Sequence, residues 1–246
     1  MDEPETPGVS TVDELVRSWS AELLDSGSAL TLLLGLVALG LVVNRGSWRL
    51  LRNVVTIAHE GGHAVVALLS GRKLNGIRLH SDTSGLTLST GRPTGPGMVF
   101  TLFAGYPAVS LLGLGGAALV SFDQARPALW AAIALLALML LAIRNAYGVL
   151  SIVVTGGLLF AVSWFASPQW QAACCVLFSW FLLFGGLRPI AELRGKRTRG
   201  RAPSSDADQL ARLVRVPAAA WLGIWFLIGG AALLIGGRWL LLIPQL

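Results

Sequence analysis

Apolar runs divided by short polar breaks fill the chain from residue 28 onward. The pattern predicts membrane-crossing helices near 28–45, 52–71, 97–121, 127–143, 146–166, 170–187 and 217–243. A helix needs ~20 apolar residues to cross the hydrocarbon core, and most of these runs approach that length. Two stretches break the pattern. Within 72–96, "GIRLHS" and "GLTLST" alternate apolar and polar residues around Asp82, Ser84 and Gly85. Period-two alternation on both sides of turn residues predicts a β-hairpin. Residues 188–216 are polar and basic, and they predict a loop followed by a short helix starting near Ser204 or Ser205. Ahead of the first span, Val12, Leu15, Val16, Trp19 and Leu23 recur at helical spacing. That spacing fits either an amphipathic helix on the membrane surface or an ordinary capped surface helix. The expected fold is an all-α polytopic membrane protein of about seven transmembrane helices with a small β-hairpin. It divides into an acidic N-terminal tail, 1–27, and a transmembrane domain, 28–246, with its hairpin at 72–96 and its basic loop at 188–216.

Composition strengthens the membrane reading. Only 13% of the 246 residues are charged, about half the share of a soluble domain. The net charge of +6 is unevenly placed, because residues 1–28 carry seven of the thirteen acids and a single basic residue, Arg17. With seven spans, the N-terminus, the hairpin, residues 144–145 and the basic loop share one side of the membrane and hold 14 basic residues against 5 opposite. The positive-inside rule then puts them in the cytoplasm, with the chain in the inner or plasma membrane. The basic excess reports topology. No basic face with interleaved aromatics suggests nucleic acid as a partner. Cys174 and Cys175 are adjacent in an apolar run, a placement that suits packing residues and makes no disulfide framework.

One polar cluster sits inside the apolar text: "AHEGGH", Ala58 to His63. On a helix, His59 and His63 lie one turn apart on one face. Two imidazoles so placed can hold one Zn2+, and Glu60 beside them can take a proton from water that the metal activates. Ionisable groups within a span are costly and usually functional. Two of the three histidines are here, and Glu60 is the only acid well inside a predicted span. Gly61 and Gly62 leave one side of that helix bare.

His59-Glu60-Gly61-Gly62-His63 in an apolar helix resembles the site-2 protease family of intramembrane zinc metallopeptidases. The order "HEGGH", hairpin, "AGYPAVSLLG", "IRNAYG", "SDADQLARL" is similar to the compact bacterial branch of that family, over about residues 50–216. The resemblance implies zinc-dependent hydrolysis of peptide bonds in membrane-protein or peptide substrates, with the lipid bilayer as surroundings. It implies His59 and His63 as zinc ligands and Glu60 as general base. The family takes its third ligand from a Leu-Asp-Gly type sequence, which this chain lacks. Asp206 matches that position best; Asp208, Asp82, His80 or water are the alternatives. The resemblance also gives Asn145 a part in holding the peptide carbonyl or oxyanion, while a helix-end hydrogen bond is the bland reading. Tyr106-Pro107 in "AGYPAVS" is expected to kink the third span, which would open space beside the histidine helix. The competing readings are an inactive metal-binding scaffold and a transporter, the latter disfavoured by the lack of an inverted repeat.

Overall fold

The computed structural model describes residues 26–198 and 204–242. The helix expected over 12–23 lies outside the described residues. In chain order the elements are α1 (Ser26–Val43), α2 (Arg45–Leu69), β1 (Lys73–Leu79), β2 (Gly85–Thr90), α3 (Pro96–Ser121), α4 (Ala125–Ala142), α5 (Ala146–Phe165), α6 (Pro168–Thr198), α7 (Asp206–Val214) and α8 (Ala218–Leu241). The chain is a mostly helical membrane protein with one two-stranded antiparallel sheet.

The number of spans differs from the seven that the sequence suggests. Among the described residues α3, α4, α5, α6 and α8 are each long and apolar enough to cross a membrane. α1 and α2 meet at a 98° bend and count together as at most a sixth. The cause is local. Asn44 leaves the helical conformation and its side-chain oxygen accepts from the amides of Gly46 and Ser47 at 2.9 and 3.1 Å, capping a new helix. α2 is also too polar to pass as an independent span, with Arg45, Arg49, Arg52 and the histidine motif along it.

α3 is central and packs against α2, α6, α7 and α8. Small residues make these contacts close. A Cβ on Gly113 would lie 2.9 Å from the Leu183 amide nitrogen, and one on Gly62 would collide with Ala108. Proline 107 lies within α3, and the helix continues through it. Lacking an N–H, it leaves the carbonyl of Phe103, four residues earlier, without its helical donor. The Trp225 indole of α8 donates to that carbonyl at 3.1 Å.

β1 and β2 pair with Ile77 opposite Thr87 and Leu79 opposite Gly85. Ile77 and Leu79 are fully buried, against Ile57, Ala64, Ile143 and Ile152. The outer edge of β1 is covered by the α4–α5 junction. Arg144 donates its amide to the Ile77 carbonyl at 2.9 Å. The Asn145 side chain then continues the ladder: its amide group donates to the Leu79 carbonyl at 2.6 Å, and its oxygen accepts from the Leu79 amide at 3.2 Å. Gly76, with φ of 154°, sits where a Cβ would collide with the Arg144 side chain.

Asn145→Ala should therefore loosen the hairpin. Losing both bonds to Leu79, with buried backbone left unpaired, costs about 1–3 kcal/mol. Hydrogen exchange in peptides spanning residues 73–90 should accelerate roughly 5–100-fold if the hairpin opens as a unit. Unchanged exchange there would contradict the tether.

Candidate metal centre

The site forms where α2, α3 and α7 meet. His59 and His63 project from one face of α2, and Asp206 is the first residue of α7. One ligand atom from each lies within 4.8 Å of the other two. His59 Nε2 and His63 Nε2 are 3.0 Å apart, and Asp206 Oδ2 lies 3.3 and 3.5 Å from them respectively. Three donors each ~2.0–2.2 Å from a tetrahedral ion would stand roughly 3.3–3.6 Å from one another. The observed spacings come close to that.

The tautomers also suit a metal. His63 Nδ1 faces the Thr101 carbonyl at 2.6 Å, an acceptor only, so the ring proton belongs on Nδ1. Nε2 then presents a lone pair toward the cluster, the arrangement in which a carbonyl fixes a ligating imidazole. Burial opposes charge on Asp206, and imidazoles protonated toward it, or a cation in place of those protons, hold the carboxyl below the usual carboxylate range. A negative oxygen and two imidazole nitrogens crowded together with low exposure fit a divalent cation such as Zn2+.

Several residues that sequence reasoning did not single out shape this geometry. Gly105 on α3 is the most direct: a Cβ there would lie 2.5 Å from His63 Nε2 and 2.6 Å from His59 Cε1. Its position is nine residues past Pro96, so the site lies about 13 Å along α3 from that helix's start. Tyr106 packs edge-on to His59, with ring centroids 4.7 Å apart, and stacks on Trp225 at 4.4 Å. A small residue beside an aromatic in "AGYPAVS" is the sequence signal, but only the helix packing gives it meaning.

α7 is held in place by its apolar face and its cap. Ala207 and Leu210 are fully buried against Leu102, Ile190, Leu193 and Trp225. Ser205 caps the helix, accepting from the Asp208 amide at 3.3 Å, and its hydroxyl donates to Asp208 Oδ2 at 2.5 Å. Asp208 also pairs with Arg197 at the end of α6. Burial alone would push the Asp208 carboxyl up, but Arg197 and Ser205 hold it below the usual range. Asp206 faces the imidazoles, and Asp208 serves the helix end.

The other candidates are engaged elsewhere. Asp82 accepts from the Ser84 amide and hydroxyl at 2.9 and 2.7 Å, and His80 Nδ1 meets the Ser84 hydroxyl at 3.2 Å; all three are exposed turn residues. Asn145 has both side-chain polar atoms bonded to Leu79 and does not line the cleft described next.

Glu60 is buried, 4% exposed, and turns toward the hairpin. Thr87 donates its hydroxyl to Glu60 Oε2 at 2.6 Å. Gly85 leaves room for the carboxylate, since a Cβ there would lie 2.5 Å from Oε1. Glu60 and His59 line a cleft of about 190 Å3 whose walls include Thr56, Gly85, Tyr106 and Val109.

Fold and site together define a membrane protein with a His–His–Asp cluster and a neighbouring carboxylate in a cleft beneath a β-hairpin. The family model described as Peptidase M50B-like matches residues 32–236. The match spans most of the chain, which therefore belongs to the M50B-like peptidases, within the site-2 protease family. Neither a curated protein nor a solved structure gives a match.

Gly105→Ala should displace both imidazoles. Zinc affinity, read by equilibrium dialysis with metal analysis, should fall about 10–100-fold, the range seen when ligand orientation is lost. Wild-type affinity in a correctly folded variant would contradict the packing argument.

Proposed function

We propose that this protein is a zinc-dependent intramembrane metallopeptidase, with His59, His63 and Asp206 as the metal ligands and Glu60 as the general base. The observation that carries the reading is the convergence of the three donors beside a cleft that Glu60 also lines. When bound, Zn2+ supplies a Lewis acid that polarises a carbonyl and makes water a better nucleophile at neutral pH. The protein's own part is proton transfer and exclusion of lipid. Glu60 accepts a proton from the attacking water at Oε1, the oxygen Thr87 does not hold, and returns it to the leaving amide nitrogen. The Thr87 bond fixes the rotamer of the Glu60 side chain.

The orientation we propose puts the hairpin, the α4–α5 junction and the basic loop in the cytoplasm. The hairpin bonds to Arg144 and Asn145, and α2 starts beside Glu192 in the polar end of α6. Both ends of α2 then lie on that side. If α1 alone crosses, the N-terminus falls opposite, where the sequence count had placed it with the hairpin. Basic residues then divide sixteen to three, with Arg17, Arg126 and Arg238 the minority.

A second reading, a metal-holding scaffold without turnover, draws on the same Thr87 bond, which ties Glu60 to β2. Single-span reporter proteins reconstituted with the enzyme in liposomes separate the two. Glu60→Gln should lower cleavage about 10²–10⁴-fold while zinc stays near one per chain. Asp206→Ala should lose the zinc, and Asp208→Ala should keep it and cost only about 0.5–2 kcal/mol through the cap. Zinc-loaded wild type that cleaves no reporter, with a Glu60→Gln variant indistinguishable from it, would favour the scaffold. Equal zinc in the Asp206→Ala and wild-type proteins would remove Asp206 from the ligand set.

A further inference from the structure

A larger cavity, about 460 Å3, adjoins the cleft and shares Trp48 and Arg52 with it. Arg45, Arg49, Arg52, Arg188 and Lys196 line it, and Glu192 is the only carboxylate among its walls. Glu192 is fully committed: it accepts from the Trp48 indole at 2.9 Å and from Arg188 Nε at 3.0 Å, and pairs with Arg52 at 3.6 Å. Arg188 also lies over the Trp48 ring, 4.6 Å from its centroid. Arg45, Arg49 and Lys196 form no ion pair among the described residues. Arg188 Nη1 is buried without a hydrogen-bond partner among those residues. Five cations facing one occupied carboxylate repel one another, and a buried guanidinium nitrogen without an acceptor carries a desolvation cost. An anion with several acceptor oxygens relieves both, and guanidinium forks match phosphate geometry.

The surroundings identify the source of that anion. The cavity sits where the apolar run of α6 gives way at Arg188 to the basic Arg194, Lys196 and Arg197, a helix end whose charge suits anionic headgroups. Large apolar side chains are exposed beside the cations, Val43 at 66% and Leu50 at 78%. Cations and exposed hydrocarbon side by side complement an amphiphile. We propose that this cavity binds the phosphate headgroup of an anionic membrane lipid, with its acyl chains against Val43 and Leu50. The inference does not rest on catalysis, and it adds a lipid contact to the wall that Trp48 and Arg52 share with the cleft.

The test is native mass spectrometry of the full-length protein in mild detergent, titrated with phosphatidylglycerol or phosphatidylcholine of the same chain length. Wild type should hold phosphatidylglycerol at least about tenfold more tightly, and the combined Arg45→Gln, Arg49→Gln, Lys196→Gln variant should lose on the order of 100-fold, near fivefold per charge. All three side chains are exposed and none lines the cleft. Should the combined variant melt early, Lys196→Gln alone should still lose about fivefold. Equal retention of the two lipids by wild type, or undiminished phosphatidylglycerol binding by a folded variant, would overturn the proposal. Displacement of phosphatidylglycerol by millimolar inorganic phosphate would overturn the lipid assignment in favour of a soluble-anion site.

Discussion

The constraint on which the structure turns is the meeting of Asp206 with His59 and His63 inside an apolar bundle. A carboxylate at low exposure is stable only when cations or donors compensate it. Here a cation shared with two imidazoles from another element would do so, and that requires α7 to be held against α3 with its first residue aimed inward. The fully buried Ala207 and Leu210 supply the holding. Burying one leucine side chain contributes about 1.5–3 kcal/mol, on the scale needed to offset ordering a short helix end. The Ser205 cap and the Asp208–Arg197 pair then fix the helix's entry. Around the histidines the same logic repeats with smaller parts. The Thr101 carbonyl sets one tautomer, Gly105 clears the space, and Tyr106 packs edge-on to His59.

What could be read from the sequence follows from what is periodic or locally determined. The long apolar helices α3 to α6 and α8 announce themselves by length and composition, and the hairpin by period two around a turn. α7 is marked by its capping serine, and the motif by its i, i+1, i+4 spacing. Asp206 stood out from Asp208 only through family resemblance, since both occupy the first turn of the same helix. Tertiary packing separates them, by turning one toward α2 and the other toward α6. Gly105 and Gly85 were not legible for a related reason. Their importance is a space that another element fills, and glycine is frequent throughout this chain. The span count failed at α2 because an apolar average hides direction. The 98° break depends on one capping asparagine.

The hairpin shows how few contacts organise the cleft. Two strands alone are marginal in water, and β1 would present an open edge. Arg144 and Asn145 close that edge as a short third strand, part backbone and part side-chain amide. With β1 so anchored, β2 lies over α2, where Thr83 accepts from the Thr56 hydroxyl at 2.8 Å and Thr87 reaches Glu60. The residue that resemblance placed at the substrate carbonyl is bonded here to the sheet that covers the carboxylate.

The bend at Asn44 ties these features together. A helix set at a sharp angle to the one before it can keep one edge polar where the preceding helix is apolar. α2 uses that freedom along its length: arginines at its start, the imidazoles and Glu60 in its middle, and an apolar end beneath the hairpin. The break thus lets one helix line a basic cavity at its start and carry the two imidazoles of the His–His–Asp cluster in its middle. Trp48 and Arg52 belong to both cavities because they lie one turn apart on one face of α2, where the two adjoin.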